Sequence, residues 1–444
     1  MRRRLGRECL YVPSCRFGLY VALRHWCPPG GRVLMSPVND DVIFFVVLAA
    51  GLRPVQAPLS ARDGTIDTGA VPEDVWRGLS GVLTTNLYGN PDPAPELRSR
   101  CDAFGIPLIE DAAHAIGSAV GGRPVGSFGD AAVFSLSKHV GAKTGGFLAV
   151  ADAAVRDELA SARYALLLPS RAGAELAYAV RPYAEAGVRG LRLVRAARAA
   201  LRLLGQEERQ EIRMPLRSGE LKRALAAAPD LTAFHSWVRV DMHDYRLRPG
   251  RLRLRRTERL LAGLDRTLAA HRAGTEELLA SPWAAPEATG AAHEAGPGGA
   301  REIEAGAACE TGPGAARETG LGAACETGPG SSSGPPAATA ARTAIGSATG
   351  SVQPLFRVPL LVEDRDAAIA ALARHRLTTG YLYDPPLDRY AGAAFTDPSP
   401  APAPAAWFAR HALPVDPRRA GQVLSVLREA GARPAAPEGP GTGG

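Results

Sequence analysis

Three short apolar runs stand out in the first third of the chain, at residues 106–109, 131–136 and 147–150. Each run has the length of a buried strand. Asp111 follows the first run, and Lys138 follows the second. Because ligands bind beyond the carboxyl ends of the strands in open α/β sheets, we expect both side chains to lie in one crevice.

Apolar strand-like runs alternate with amphipathic helical segments through the first 150 residues. The pattern predicts further strands at residues 32–36, 53–58 and 82–85, and helices at residues 14–26, 42–51 and 97–104. Such alternation is typical of an α/β fold with a mostly parallel sheet flanked by helices.

Residues 153–231 have a helical pattern rich in Ala, Leu and Arg. We interpret this stretch as a packed helical extension of a large domain at residues 1–236, although an amphipathic membrane contact at residues 188–204 is an alternative. Later segments predict a smaller α+β C-terminal domain, made of residues 237–283 and 352–433. Its predicted elements are a long helix at 258–279, a strand at 355–362, and helices at 366–375 and 420–430.

Residues 284–351 differ in composition from the rest of the chain, since Gly, Ala, Pro, Glu, Thr and Ser dominate there. The segment GAACETGPG occurs at residues 306–314 and again at 322–330. No recurring apolar position would give such repeats a core, so we predict a disordered insertion. Residues 434–444 are Pro- and Gly-rich and are predicted to be a disordered tail.

Composition narrows the range of functions. Hydrophobic residues make up 46% of the chain, and the net charge is +7. The arginines are not interleaved with aromatic residues, so a nucleic-acid partner is not predicted. The longest apolar run is too short to span a bilayer, and we predict no membrane association. The six cysteines form no CxxC pair, and the N-terminus lacks a secretory signal, so a cytoplasmic location and no metal site are expected.

A lysine and an acid placed at neighbouring strand ends suit pyridoxal phosphate (PLP). A lysine amine can form a Schiff base with the PLP aldehyde. A carboxylate facing the pyridine nitrogen keeps that nitrogen protonated, so the ring can withdraw electrons. The pattern therefore predicts PLP as the cofactor, with Lys138 and Asp111 as the catalytic residues.

Three segments resemble the DegT/DnrJ/EryC1/StrS aminotransferases: IEDAAHAIGS, GSFGDAAVFS and the lysine that precedes TGGFLAV. The resemblance implies a divergent, PLP-dependent transferase of fold-type I, in which Lys138 binds PLP and Asp111 contacts its ring nitrogen. Lys143 is an alternative Schiff-base lysine. The spacing from Lys138 to Gly145 and Gly146 matches the family pattern, whereas Lys143 would lie too close to this pair.

The resemblance also implies further cofactor contacts. His114 stands at the family's glutamine position, where it would lie beside the ring hydroxyl. Ser135 matches the serine that binds the phosphate. Because the segment from Phe134 to Lys138 is about two residues shorter than in the family, Ser137 is an alternative to Ser135.

Cys15 and Arg16 stand at the helix start that cradles the phosphate in the resembled family. A helix N-terminus suits an anion, and Arg16 would either contact the phosphate or be a surface arginine. The chain departs from the family after the second strand, where Asp41 replaces an aromatic residue that stacks on PLP. Phe44 or Phe45 would either substitute for that residue or belong to the core.

The segment HDYRL at residues 243–247 resembles one with which family members reach the neighbouring subunit's phosphate. This implies a homodimer, although Asp244 replaces the family's asparagine. The implied activity is transfer of an amino group from an amino-acid donor to a keto-sugar or similar ketone, in secondary-metabolite or cell-surface sugar biosynthesis. A nucleotide-sugar is one candidate acceptor. Two alternatives remain, namely a PLP-dependent sugar dehydratase, to which His139 beside Lys138 points, and a non-catalytic auxiliary homologue.

Overall fold

A computed structural model describes residues 1–190, 213–239, 245–284 and 352–437. The strands in chain order are β1 (Glu8–Val12), β2 (Arg32–Met35), β3 (Arg53–Gln56), β4 (Gly81–Thr84), β5 (Leu108–Asp111), β6 (Ala119–Val120), β7 (Arg123–Pro124), β8 (Ala131–Ser135), β9 (Gly146–Val150), β10 (Val358–Leu361) and β11 (Ala412–Val415).

The described α-helices are α1 (Arg2–Leu5), α2 (Cys15–Trp26), α3 (Asp41–Ala49), α4 (Glu73–Arg77), α5 (Ala94–Phe104), α6 (Ala153–Leu166), α7 (Ala172–Gly190), α8 (Ser218–Ala226), α9 (His235–Val238), α10 (Arg251–Ala262), α11 (Leu264–Leu279), α12 (Arg365–Arg374), α13 (Leu387–Ala391), α14 (Pro402–His411) and α15 (Ala420–Glu429). Single 3-10 turns lie at Thr68–Ala70, Leu87–Gly89 and Pro417–Arg419.

Seven strands form the central sheet in the order β1-β9-β8-β5-β4-β2-β3. The strands from β8 to β3 run parallel to one another, and β9 is antiparallel to both of its neighbours. The prediction of a mostly parallel sheet is therefore confirmed. Because β5 and β8 are adjacent and parallel, the residues that follow both strands emerge at the same edge of the sheet.

Successive side chains of each strand enter different cores, as the period of two requires. Ile109 of β5 and Val133 of β8 lie in one core, together with the buried faces of α2 and α3. Leu108 and Phe134 lie in the other, which includes α5. Burial on both faces explains why these strands appear in the sequence as continuous apolar runs.

The prediction of a single helix at residues 258–279 is wrong. Gly263 separates α10 from α11, and its N–H closes a turn on the carbonyl of Leu260. Glycine weakens a helix interior because its backbone is freer in the unfolded chain, so the break falls there. The strand predicted at residues 355–362 is also shorter than expected, since β10 covers only Val358–Leu361.

The C-terminal strands β10 and β11 pair antiparallel over a core of their own, which includes Leu278, Trp283 and Leu424. Contacts do not divide the described residues into two units, so the predicted boundary after residue 236 stays a prediction. Past Arg433, Pro434 forms a bridge with Val362.

Several predicted segments fall outside the described residues. They are residues 191–212 of the helical extension, almost all of the predicted insertion, and residues 438–444 of the predicted tail. Within the described part of the extension, α6, α7 and α8 are helices as expected. Across the described ranges, no helix combines the length and apolar character needed to cross a membrane.

Candidate active site

Asp111 and Lys138 lie at one edge of the sheet, as the strand pattern predicts. Asp111 is the last residue of β5 and is 4% exposed. Lys138 is half-buried in the turn that follows β8. The lysine charge acts on the carboxyl group, since it is one of the influences that lower the pKa of Asp111. The carboxyl group and the amine therefore lie close enough to interact at this edge, in the region that we call the crevice.

The Lys138 amine lies among aromatic rings and charges. Its Nζ is 5.3 Å from the ring centroid of Phe356 and 5.8 Å from that of Tyr381. Burial lowers the pKa of Lys138, the charge of Asp40 raises it, and the charges of Arg357 and Arg16 lower it further. The net direction is downward, which favours the neutral, nucleophilic amine.

Lys143, the alternative Schiff-base lysine, and His139, which pointed to a dehydratase, have other surroundings. Lys143 is exposed in the loop before β9. His139 is buried, and its Nε2 lies 2.9 Å from the carbonyl of Pro354. Of these neighbours, Lys138 has the environment that a nucleophilic amine needs.

Asp111 is a buried acid held by weak partners. Its Oδ1 accepts from the N–H of Ala113 at 3.0 Å, and the Cys15 thiol donates to the same oxygen at 3.6 Å. Burial raises the pKa of Asp111 from its ordinary 3.8 to about 7. Among the described residues it forms no salt bridge, so a cationic ligand group facing it would compensate for the burial.

Glu110 has a different role on the opposite face of β5. Its carboxylate accepts backbone N–H bonds from Gly126, Phe128 and Gly129 at 2.7, 2.8 and 2.6 Å. These bonds fix the loop before β8. Glu110 is therefore a structural acid, which leaves Asp111 to face the crevice.

The N-terminus of α2 forms a second part of the site. The Ser14 hydroxyl caps the helix by accepting from the N–H of Phe17 at 3.3 Å. Gly146 lies close to this helix start, since a Cβ atom at Gly146 would be 3.3 Å from the Cys15 nitrogen. Gly146 pairs with Ser135 across β8 and β9, so Ser135 lies beside this helix start. The Ser135 and Ser137 hydroxyls are hydrogen-bonded to each other at 2.8 Å, so the two serines stay alternatives for the phosphate contact.

Arg16 turns toward the segment that follows α9. Its Nη1 donates to the carbonyl of Val238 at 2.9 Å, and its guanidinium lies 4.7 Å from the Tyr245 ring centroid. Tyr245 belongs to the HDYRL segment, but His243 and Asp244 fall outside the described residues. The prediction for Asp244 therefore has no structural counterpart here.

His114 lies half-buried in a stack of rings. Its ring is parallel to that of Phe356, with 5.3 Å between the centroids, and Tyr88 stacks at 6.3 Å. Burial lowers the pKa of His114 well below its ordinary value, and the charge of Lys138 adds to this effect. The imidazole is therefore neutral and can donate one hydrogen bond and accept another.

Neither Phe44 nor Phe45 substitutes for the missing aromatic residue, because both are fully buried and Phe45 stacks on Trp237 with centroids 5.5 Å apart. Asp41 is also buried, and its Oδ2 accepts from the N–H of Met214 at 2.7 Å. Asp40, by contrast, acts electrostatically on Lys138. The sequence analysis singled out Asp41 and missed Asp40. The only sequence signal for Asp40 was that it forms an acidic pair with Asp41.

Sequence reasoning also missed Phe356 and Arg357, which bring an aromatic ring and a cation to the crevice. Arg357 interrupts an apolar run, and this was the sequence signal that could have singled out these residues. Tyr381, in the segment TTGYLYDPPL at residues 378–387, also lies near the Lys138 amine. Tyr383 of the same segment stacks on Tyr88, with centroids 5.7 Å apart.

The residues present fit PLP in three respects. Lys138 supplies an amine of lowered pKa, and Asp111 supplies a buried acid that forms no salt bridge with the residues that the structure describes. The start of α2 with Ser135 supplies backbone N–H groups and a hydroxyl suited to a phosphate. These groups match the aldehyde, the ring nitrogen and the phosphate of the cofactor.

Comparison with known proteins agrees with this chemistry over part of the chain. The chain is 30% identical over 138 residues to UDP-N-acetyl-3-dehydro-alpha-D-glucosamine 3-aminotransferase of Acidithiobacillus ferrooxidans, which covers 30% of this chain and 37% of that protein. It is 33% identical over 107 residues to GDP-perosamine synthase of Vibrio cholerae, which covers 24% and 29%. The chain thus spans well under half the length of these relatives.

Solved structures share the fold over nearly the whole chain. One is a DegT DnrJ EryC1 StrS aminotransferase from Brucella abortus, with a TM-score of 0.54, 15% identity and coverage of 96% of this chain and 87% of that one. Another is the E. coli GDP-4-keto-6-deoxy-D-mannose-3-dehydratase with bound hydrated PLP, with a TM-score of 0.57, 14% identity and coverage of 97% and 89%.

The matched family model is the DegT/DnrJ/EryC1/StrS aminotransferase family, over residues 6–175. This range includes Cys15, Asp111, Ser135 and Lys138. Over these residues, the chain is similar to that aminotransferase family.

Proposed function

We propose that this protein is a PLP-dependent aminotransferase that moves an amino group from an amino-acid donor to the ketone of a sugar. The observation that carries the proposal is the single crevice shared by Lys138 and Asp111. One supplies an amine of lowered pKa, and the other a buried carboxyl group that forms no salt bridge within the described ranges. Few functions other than binding a cationic, aldehyde-bearing ring require this pair.

Each polar group of the cofactor has a candidate partner. Lys138 would hold the aldehyde carbon, and Asp111 would face the ring nitrogen. Cys15 and Arg16 at the start of α2, together with Ser135, would hold the phosphate. His114 would lie beside the ring hydroxyl, where its neutral imidazole can donate a hydrogen bond.

When bound, PLP supplies an aldehyde that condenses with amines and a ring that withdraws electrons from the carbon bearing the amine. Lys138 would act as the general base and acid. Its Nζ would take the proton from the donor's α-carbon and deliver it to the carbon on the other side of the donor's nitrogen. Its lowered pKa keeps part of the amine neutral for this task. Asp111, as a carboxylate, would hold the proton on the ring nitrogen.

The proposed acceptor follows from the family and its named members. The matched relatives carry names of sugar-nucleotide enzymes, namely a UDP-sugar aminotransferase and GDP-perosamine synthase. A keto-sugar, carried on a nucleotide, is therefore the acceptor class that we propose. We also propose a homodimer, because HDYRL resembles the segment that crosses between subunits in the family. Sedimentation of the protein with and without PLP tests this, and a monomer that binds PLP tightly would refute it.

A cofactor spectrum followed by turnover tests the main proposal. The purified protein should carry a visible absorption band that borohydride removes. It should also convert a keto-sugar nucleotide to the amino sugar in the presence of an amino-acid donor. A protein that binds PLP but removes a hydroxyl group from the sugar would instead be a dehydratase. A protein that binds no PLP would be an auxiliary homologue.

A further inference from the structure

Arg357 is the least expected charged residue in the crevice. It lies directly before β10, far along the chain from Lys138. The backbone N–H groups of Phe356 and Arg357 both donate to the carbonyl of Tyr88, at 2.8 and 3.1 Å. These bonds attach the segment to the turn after β4, at the same edge of the sheet as Lys138.

Two buried histidines hold the residues just before Arg357. Nε2 of His139 is 2.9 Å from the carbonyl of Pro354, and Nδ1 of His271 is 2.8 Å from the carbonyl of Leu355. Both imidazoles are buried. The backbone on which Arg357 stands is therefore fixed by side chains as well as by the Tyr88 carbonyl.

The guanidinium of Arg357 is partly unsatisfied. The side chain is 17% exposed, and Nη1 donates to its neighbour's carbonyl, that of Phe356, at 2.9 Å. Nε is buried without a hydrogen-bond partner. A buried donor without an acceptor is costly, so an acceptor supplied by a ligand would be stabilising here.

The acid that pairs with Arg357 is shared with a second arginine. Oδ2 of Asp416 lies 3.8 Å from Nη1 of Arg357, which is a long ion pair. Asp416 is already bound by Arg418 through Nη2 and Nε, at 2.7 and 3.0 Å. Asp416 therefore compensates the charge of Arg357 only in part, and that charge also acts on Lys138 and His114.

The aromatic ring of Phe356 lies near both the Arg357 guanidinium and the Lys138 amine. The Phe356 centroid is 4.3 Å from the Arg357 guanidinium carbon and 5.3 Å from Lys138 Nζ. The other nearby arginine, Arg16, already donates to the Val238 carbonyl and lies on the Tyr245 ring. Of these two arginines, Arg357 is the better placed to bind an anion next to the lysine.

We propose that Arg357 binds the α-carboxylate of the amino-acid donor. The inference rests on the proposed function, because the donor's amine must reach Lys138. In an α-amino acid the carboxylate is attached to the same carbon as that amine, so it lies close to the lysine. A planar guanidinium matches a carboxylate through two parallel hydrogen bonds. Arg357 thereby selects α-amino acids over simple amines.

Two stable cofactor adducts test this without requiring turnover. N-(5′-phosphopyridoxyl)-L-alanine and N-(5′-phosphopyridoxyl)ethylamine differ only in the α-carboxylate, and calorimetry measures their binding to the PLP-free protein. We expect the wild-type protein to bind the alanine adduct about 30-fold more tightly, as for a hydrogen bond to a charged group. Arg357→Gln should reduce this preference to within about threefold and leave the affinity for the ethylamine adduct unchanged.

Two further variants separate specific binding from general effects. Arg357→Lys keeps the charge but loses the planar pair of donors, so it should retain part of the preference. Arg16→Gln removes the other cation and should leave the preference intact, whatever it does to the phosphate. Equal melting temperatures would show that the Arg357 variants fold.

The proposal is overturned if the wild-type protein does not prefer the alanine adduct, or if Arg357→Gln keeps the preference. Either result, with PLP still bound to Lys138, would leave the proposed function standing. If neither adduct binds and borohydride fixes no PLP, the proposed function fails, and this inference fails with it.

Discussion

The crevice has two walls that are built in different ways. The sheet wall consists of Asp111, Ser135 and Lys138, which follow or end the adjacent parallel strands β5 and β8. The C-terminal wall consists of Phe356, Arg357 and Tyr381. It is attached through Tyr88, whose hydroxyl donates to the Tyr381 carbonyl at 2.7 Å and whose own carbonyl accepts from the C-terminal segment.

The family match stops between these walls. It covers residues 6–175 and so includes the whole sheet wall and none of the C-terminal wall. On the proposed function, the sheet wall carries the groups that would bind PLP, whereas the C-terminal wall carries groups that would meet a substrate. Cofactor binding and substrate choice would then depend on segments that are far apart in the sequence, so they could diverge separately.

Removing the amine of the sheet wall should have the largest effect. The chain contains three lysines, Lys138, Lys143 and Lys222, so labelling after borohydride reduction is easily assigned. Lys138→Ala should abolish the fixed pyridoxyl group, since no other amine lies in the crevice among the described residues. Lys143→Ala and Lys222→Ala should label as the wild-type protein does, as peptide mapping will show. A pyridoxyl group on Lys143 would overturn the assignment of the wall.

The acid of the same wall should control turnover rather than binding. Asp111→Asn should retain PLP, because the amine and phosphate contacts remain, but should lose most of its activity. Without the carboxylate, the ring nitrogen is not kept protonated. We expect a loss of more than about tenfold in kcat, which corresponds to more than about 1.4 kcal/mol. Steady-state rates within tenfold of the wild type would contradict the role of Asp111.

The sheet wall could be predicted from the sequence because its elements are local. Strands β5, β8 and β9 are buried on both faces, so continuous apolar runs marked them to within two residues. Asp111 and Lys138 then followed from the rule that parallel strand ends meet at one edge. The helix break at Gly263 was missed because a heptad-like pattern continues across it.

The C-terminal wall could not be predicted in this way. Nothing within the local sequence of Arg357 indicates that its backbone binds the Tyr88 carbonyl or that His139 and His271 fix the preceding residues. Strand β11, which pairs with β10, has four residues and a proline, too few to give a period-two signal. Long-range contacts decide these positions, and one sequence does not reveal them.

The uncompensated acid should also affect stability. Burial raises the pKa of Asp111 from 3.8 to about 7, so the folded, PLP-free protein holds a proton that the unfolded chain has lost. The free energy of unfolding should therefore fall by up to about 4 kcal/mol as the pH rises from about 4 to 7, and should then level off. Asp111→Asn removes this loss, so its stability gain over the wild type should increase from pH 5 to pH 8.

Urea unfolding of the PLP-free proteins at both pH values measures this difference. Glu110→Gln, on the same strand, is the matched control. It places an amide N–H₂ group opposite backbone N–H donors and should destabilise the protein at pH 8. A gain for Asp111→Asn that does not change with pH would mean that the carboxyl group does not titrate in this range.

The smallest effect should come from Asp40, which faces the sheet wall from the start of α3. Its charge raises the pKa of Lys138 against the effect of burial. Asp40 also caps α3, since Oδ1 accepts from the N–H of Val42 at 3.0 Å, and asparagine caps helices equally well. Asp40→Asn should therefore remove the charge and keep the helix. The pKa of Lys138 should fall further, so its neutral amine should become available at lower pH.

The rate at which trinitrobenzenesulfonate modifies Lys138 reports this shift without any cofactor. With Lys143 and Lys222 both replaced by arginine, Lys138 is the only lysine left in the chain. Asp152→Asn is the matched control, because Asp152 caps α6 through the same kind of bond to Ala154. The pH profile of modification should move to lower pH in Asp40→Asn and stay in place in Asp152→Asn. A profile that stays in place or moves to higher pH would show that the Asp40 charge does not act on the Lys138 amine.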